Sequence, residues 1–154
     1  MRQSVKKRVI IKLFLLLLIV FLSYNLFWLG SVYKKYVGYA AGMEAFHNEK
    51  INQFFDPCYS TQENKMPYSV QGPEYLSLDG NLAVSKGDLL LIIWPSIFGD
   101  TEYGLKKNSL ARSYEVMVNE RMEPIDPNDA SLIEPDVASF NKLMQAAKLK
   151  WETF

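Results

Sequence analysis

The feature that most constrains this chain is a run of 21 residues without a charged side chain, between Lys12 and Lys34. A helix rises about 1.5 Å per residue, so a helical run of this length covers roughly the 30 Å hydrocarbon core of a bilayer. Leu13 and Leu18 belong to its most apolar part. The sequence therefore predicts a single transmembrane helix over residues 13–33.

The charges around this run predict its orientation. Five basic residues precede it and two follow it, namely Arg2, Lys6, Lys7, Arg8 and Lys12, then Lys34 and Lys35. Because cytoplasmic flanks of a span are enriched in Lys and Arg, we expect residues 1–12 to be a basic cytoplasmic tail. The rest of the chain should then lie outside. The sequence has no N-x-S/T acceptor, which favours a bacterial plasma or inner membrane.

The end of the run indicates an anchor and not a cleaved signal. A signal peptide has an apolar region of about 7–15 residues followed by small residues at the cleavage site. Here the run is longer, and Phe27, Trp28 and Leu29 stand where small residues are required. We therefore expect an uncleaved signal anchor that remains in the membrane.

Polar and aromatic residues in the span suggest further contacts. Ser23 and Asn25 leave two interpretations open: they bond to a partner span, because polar side chains hydrogen-bond between helices in lipid, or they are simply tolerated in a strongly apolar helix. Aromatic side chains are enriched at membrane interfaces, and the outer end of the run has four of them: Trp28, Tyr33, Tyr36 and Tyr39. The sequence predicts that these four form an outer aromatic belt.

Beyond the span, the periodicity predicts that the helix continues over residues 34–56 as a stalk. Ala40, Met43, His47, Ile51 and Phe54 recur at steps of three and four, and Asp56-Pro57 should end the helix. The pair Gly38 and Gly42 has GxxxG spacing and weakly indicates dimerisation through this stalk. Residues 57–67, polar and interrupted by two prolines, are predicted to form a linker loop.

Residues 68–154 are predicted to form a small outward α+β domain with an antiparallel meander. Asp79-Gly80 is a hairpin signal, and the turn over residues 85–88 leads into Leu89–Trp94, whose unbroken apolar run predicts a strand covered on both faces. Residues 101–106 and 113–119 are further strand candidates. A helix should begin near Pro135 and cover the sheet with apolar residues at helical spacing, namely Val137, Phe140, Met144, Ala147 and Trp151.

The charge distribution limits the partners. The formal net charge is zero, but all 17 acidic residues follow Lys35, where only ten basic residues remain. An acidic domain repels phosphate polymers, so nucleic acid is not expected as a partner. The expected partners are the bilayer and either other proteins or further copies of this chain, bound through the span and the stalk.

The sequence has few residues that could perform chemistry. Cys58 is the single cysteine and His47 the single histidine, so a thiol enzyme using this pair is a remote hypothesis. Two such ligands do not complete a structural zinc site, and the acidic loop over residues 126–137 fails the EF-hand pattern. We therefore expect no catalytic residues, no metal and no cofactor.

Two functional hypotheses are left. The first is a non-enzymatic, membrane-tethered interaction module, an accessory subunit of a cell-envelope assembly, with Gly38, Gly42, His47 and Cys58 as possible contact residues. The second is an extracytoplasmic sensor or binding domain for a small ligand or peptide. Its pocket is predicted between the sheet and the terminal helix, lined by Tyr75, Trp94 and Tyr114.

Overall fold

The computed structural model describes residues 2–45 and 58–152 as one long helix, a seven-stranded sheet and a carboxy-terminal helix. The long helix runs without interruption through α1 (Arg2–Phe27), a π-helical turn (Trp28–Tyr33) and α2 (Lys34–Tyr39). Its segment from Lys7 to Tyr39 is 33 residues long and apolar enough to cross a membrane. The most apolar stretch of this segment has no buried residue.

The outer end of the long helix lies inside the hydrophobic core of the domain. Trp28, Val32, Tyr36 and Ala40, spaced four residues apart, are at most 7 % exposed and share one cluster with the sheet. Steps of four overshoot the 3.6-residue α turn, and the wider π turn compensates in part for this drift. We call these four residues the docking stripe. The predicted outer aromatic belt is therefore wrong for Trp28 and Tyr36, which contact protein.

The predicted helix over residues 34–56 is wrong in its length. The helix ends at Tyr39, and a turn follows in which Gly42 has a φ of +75°, a conformation that suits glycine. Glu44–Ala45 then form a short strand. Gly38 and Gly42 consequently do not share a helix face. The predicted positions His47, Ile51 and Phe54 lie outside the described residues.

The sheet is an antiparallel meander in which each strand pairs with the next in the sequence. Its strands are β1 (Glu44–Ala45), β2 (Cys58–Glu63), β3 (Met66–Gln71), β4 (Asn81–Lys86), β5 (Leu89–Trp94), β6 (Glu102–Asn108) and β7 (Ser113–Val118). A meander places alternate connections at the same end of the sheet. The β3–β4 and β5–β6 loops therefore share one end, and the turns over residues 87–88 and 109–112 share the other.

One face of the sheet is covered by helices. After β7 come the short helix α3 (Ala130–Ile133), flanked by two 3₁₀ turns, and then α4 (Val137–Trp151). Phe140, Leu143 and Ala147 of α4 are at most 1 % exposed and belong to the same cluster as Leu91 and Leu105 of the sheet. The predicted α+β class, the meander and the terminal helix are confirmed. We call the opposite side of the sheet the open face.

Three local predictions about the sheet are wrong. Residues 58–63 and 66–71 are paired strands and not a linker loop. Asp79-Gly80 does not turn a hairpin, because residues 72–80 form one long β3–β4 loop that bonds to the long helix. Leu89–Trp94 is a strand, but only Leu89, Leu91 and Ile93 are buried, and the alternate residues are half-exposed on the open face.

Tyr36 fixes the long helix to both loops at that end of the sheet. Its hydroxyl accepts a hydrogen bond from the Gly80 N–H at 3.2 Å and donates one to the Pro95 carbonyl at 3.4 Å. A Cβ at position 80 would lie 2.6 Å from the Tyr36 ring, so only glycine leaves room for this contact. The glycine expected in a hairpin turn is instead required by close packing.

A half-buried polar cluster holds the start of α4 against the sheet. Lys107 donates to both carboxylate oxygens of Asp136 at 2.9 Å, and the Tyr114 hydroxyl donates to Asp136 Oδ2 at 2.8 Å. The hydrogen bond from Lys107, opposed by burial and supported by Tyr114, holds the pKa of Asp136 below its usual range. Burial and the hydrogen bond to Asp136 raise the pKa of Tyr114.

We expect Asp136 to make the stability of the domain depend on pH in the acidic range. Because its pKa is lower in the folded state, its contribution is fully present above the ordinary value of 3.8 and is lost as the pH falls through the folded value. Asp136→Asn should lower the free energy of unfolding at neutral pH by about 1–3 kcal/mol and flatten its decline in acid. Denaturant unfolding at several pH values measures both. Glu115→Gln, which breaks the exposed ion pair with Lys106, is the control and should change little.

We expect the docking stripe to stabilise the whole domain. Trp28→Ala should lower the free energy of unfolding by about 3–5 kcal/mol, because it leaves a cavity in the core and an unbonded Ser77 carbonyl. Unfolding in detergent micelles, followed by near-ultraviolet circular dichroism, measures the change. The matched control is Leu29→Ala on the exposed side of the same turn. Equal losses from the two variants would contradict a docked helix end.

Candidate ligand groove on the open face

The open face carries a groove with a cavity volume of about 780 Å³ near the end of β5. It is lined by the ends of β5, β6 and β7 and by the two loops that meet at this end of the sheet. Small-molecule and cofactor sites commonly have volumes of about 300–1,000 Å³. By size and position, this groove is the leading candidate for a binding site in the described part of the chain.

Trp94 forms the floor of the groove because the neighbouring strand provides space for its ring. Gly104 on β6 lies beneath this ring, and a Cβ at that position would be 2.8 Å from a ring carbon. Met117 on β7 is paired with Gly104 and completes the floor. Trp94 and Met117 are both partly exposed, so the floor offers an aromatic ring and a thioether to a ligand.

The rim of the groove is acidic. Asp79 comes from the β3–β4 loop, Asp100 from the β5–β6 loop, and Glu102 and Glu115 from the strands. Glu115 pairs with Lys106 at 3.1 Å, whereas none of the ion pairs among residues 2–45 and 58–152 involves the other three carboxylates. An aromatic floor beneath unneutralised carboxylates favours a cationic group, which a Trp ring also attracts through its π face.

The residues predicted to line a single pocket lie in three separate places. Trp94 lines the groove, Tyr75 packs edge-on against Trp28 at 5.4 Å, and Tyr114 is buried beneath α4 with Phe140 at 6.5 Å. The space between the sheet and α4 is filled by buried side chains, Phe140 and Leu143 among them. The cavity is on the face opposite to the one predicted.

The polar residues of the span bond within the molecule or face outward. Asn25 donates from its amide to the Phe21 carbonyl at 2.8 Å and accepts a hydrogen bond from the Tyr75 hydroxyl. Ser23 is exposed on the helix, as are Leu13 and Leu18, while Tyr33 is half-buried and packs on Trp28 at 5.6 Å. Asn25 is therefore bonded both to its own helix and to the β3–β4 loop, and its predicted bond to a partner span stays a prediction.

Cys58 opens β2 at a second, smaller hollow on the open face, with a volume of about 300 Å³. Its other lining residues are Tyr59, Ser60, Ser69, Val70, Gln71 and Asn81. Ser60, Ser69, Gln71 and Asn81 offer hydroxyl and amide groups, whereas the side chain of Val70 is buried in the core. Burial raises the pKa of Tyr59. Since His47 lies outside the described residues, its predicted pairing with Cys58 stays a prediction. The described residues contain no group of three or more His, Cys, Asp and Glu side chains suited to a metal ion.

Sequence reasoning identified Trp94 but missed the rest of the groove. Met117, Gly104 and the rim carboxylates lie on different strands and loops and become neighbours only through the strand register. Comparisons with protein-family models, curated proteins and solved structures found no match. The geometry of the chain itself is thus the basis for any functional argument.

We expect Gly104 to set the position of the Trp94 ring. Gly104→Ala should displace the ring, shift the assigned Trp94 indole N–H resonance in NMR spectra and lower the free energy of unfolding by about 1–3 kcal/mol. Gly38→Ala is the control, because a Cβ there meets no atom within 4 Å. An unchanged Trp94 resonance in Gly104→Ala would contradict the described floor.

Proposed function

We propose that this protein is a membrane-anchored, non-enzymatic interaction module whose groove binds a basic segment of a partner protein. The single observation that carries the proposal is the groove on the open face, with Trp94 on its floor and Asp79, Asp100 and Glu102 on its rim. Lys or Arg side chains match both the charge of the rim and the ring below it.

Membrane anchoring is supported by the long helix and by its flanking charges. Within the segment Lys7–Tyr39, large apolar side chains are exposed from Val9 to Leu26, and the most apolar stretch has no buried residue. Such a surface is unfavourable in water and suits a bilayer. The excess of basic residues before the span favours a cytoplasmic amino terminus and an outward domain, in a bacterial plasma or inner membrane.

The docked end of the helix supports a role in positioning the groove relative to the membrane anchor. Tyr24, Trp28, Lys35 and Tyr36 all bond to backbone carbonyls of the two loops that border the groove. The groove therefore keeps a fixed orientation relative to the anchor. This arrangement suits an accessory subunit that holds a partner near the outer surface of a cell envelope.

We test the proposal by photo-crosslinking in native membranes, with a photoreactive amino acid in place of Met117. The expected result is a specific adduct whose cross-linked peptide is rich in Lys or Arg. Glu102→Lys should reduce the adduct severalfold, because reversing a rim charge repels a basic segment. Glu134→Lys, which reverses the charge of an exposed residue outside the groove, is the matched control and should leave the yield of the adduct unchanged.

Two results would contradict this function. The first is an equal pattern of adducts from position 117 and from Leu149, an exposed apolar residue of α4 outside the groove. The second is an adduct at position 117 that does not respond to Glu102→Lys. Either outcome would mean that the groove makes no selective, charge-dependent contact with a partner.

A small cationic ligand is the second candidate for the groove, as expected of a sensor domain. The volume of about 780 Å³ favours it, since a site of this size encloses a ligand of small-molecule dimensions. The same variants distinguish the two candidates. A sensor would lose the binding of a soluble cation on Glu102→Lys, and it would give no protein adduct at position 117.

A further inference from the structure

The end of the domain that meets the long helix has exposed apolar side chains. Phe98, at the tip of the β5–β6 loop, is 76 % exposed and stacks on Phe27 of the helix with ring centroids 5.7 Å apart. Leu26, the neighbouring helix residue, is 73 % exposed. Phe98 therefore extends the apolar surface of the span sideways onto the domain.

Hydrogen bonds fix the depth of this end relative to the helix. Tyr24 donates to the Leu76 carbonyl at 2.8 Å, and the Trp28 indole donates to the Ser77 carbonyl at 2.6 Å. On the other loop, Lys35 donates to the Ser96 carbonyl at 3.1 Å. Both loops are therefore bonded to the helix between Tyr24 and Lys35, and the stacking of Phe98 places the tip of the β5–β6 loop at the level of Phe27.

The length of the helix that the domain does not cover indicates a membrane boundary near Phe27. Large apolar side chains are exposed from Val9 to Leu26, and burial begins at Trp28. A helix of 18 residues spans about 27 Å, close to the thickness of a hydrocarbon core, with Lys12 reaching back to the inner headgroups. The span predicted over residues 13–33 thus shifts toward the amino terminus.

We infer that this end of the domain rests on the outer leaflet, with Phe98 inserted among the lipids beside Leu26. The inference rests on the membrane anchoring proposed above. The occupant of the surface is the bilayer itself, because Phe98 is continuous with the lipid-exposed helix. The contact is made by the apolar side chain of Phe98 and needs no anionic lipid, because the carboxylates of Asp79 and Asp100 on these loops would repel anionic headgroups.

The test measures the depth of three side chains in vesicles. Cysteine replaces Phe98, Leu26 or Leu110 one at a time in the full chain with Cys58→Ser, and each is labelled with a small fluorophore. Leu110 is fully exposed in the turn at the opposite end of the sheet and serves as the matched control. The proteins are reconstituted into phosphatidylcholine vesicles with or without lipid that carries a shallow doxyl quencher.

The expected result is that labels at positions 26 and 98 lose comparable fluorescence to the doxyl lipid, whereas the label at position 110 loses none. Quenching at 26 with none at 98 would overturn the inference and leave membrane anchoring intact. The absence of quenching at both 26 and 98 would overturn the anchoring as well. Replacing part of the phosphatidylcholine by phosphatidylglycerol should leave quenching at 98 unchanged, and a requirement for the anionic lipid would also overturn the inference.

Discussion

The burial of the docking stripe is the interaction on which the rest of the structure depends. Trp28, Val32, Tyr36 and Ala40 are an integral part of the core. The same helix exposes large apolar side chains over the preceding turns, at positions such as Leu22 and Leu26. One continuous helix therefore has an uncovered apolar part and a part that is buried in the domain. The change occurs at the π turn.

The sequence could show that these residues were apolar and aromatic, but not what would cover them. A stripe at four-residue spacing looks the same whether it faces lipid, a partner or the domain that follows in the chain. The deciding contacts come from distant residues such as Ser77, Gly80 and Pro95, which are about 45–60 positions away. The interpretation of Tyr36 as a membrane-belt residue failed for this reason, and so did the hairpin at Asp79-Gly80.

Elements with their own strong local pattern were predictable. β7 alternates strictly between exposed and buried residues, and α4 buries Phe140, Met144, Ala147 and Trp151 at helical spacing. The run Leu89–Trp94 was correctly predicted as a strand, but its apolar outer residues suggested burial on both faces. The half-exposure of the last of them, Trp94, on the open face instead contributes the floor of the groove. An apolar strand residue without a covering layer indicates a binding surface as readily as a core.

The way in which helix and groove are joined narrows the kind of partner that fits the proposal. Because Lys35 and Tyr36 bond to the same loops that form the groove wall, the membrane anchoring proposed above would keep the groove near the membrane surface. A partner segment must therefore reach it close to the headgroups. In bacterial envelopes, basic residues just outside a span are disfavoured relative to its cytoplasmic side, so few neighbouring anchors present them there. Under the proposal, a groove that selects such a segment would discriminate among the proteins that share the same membrane.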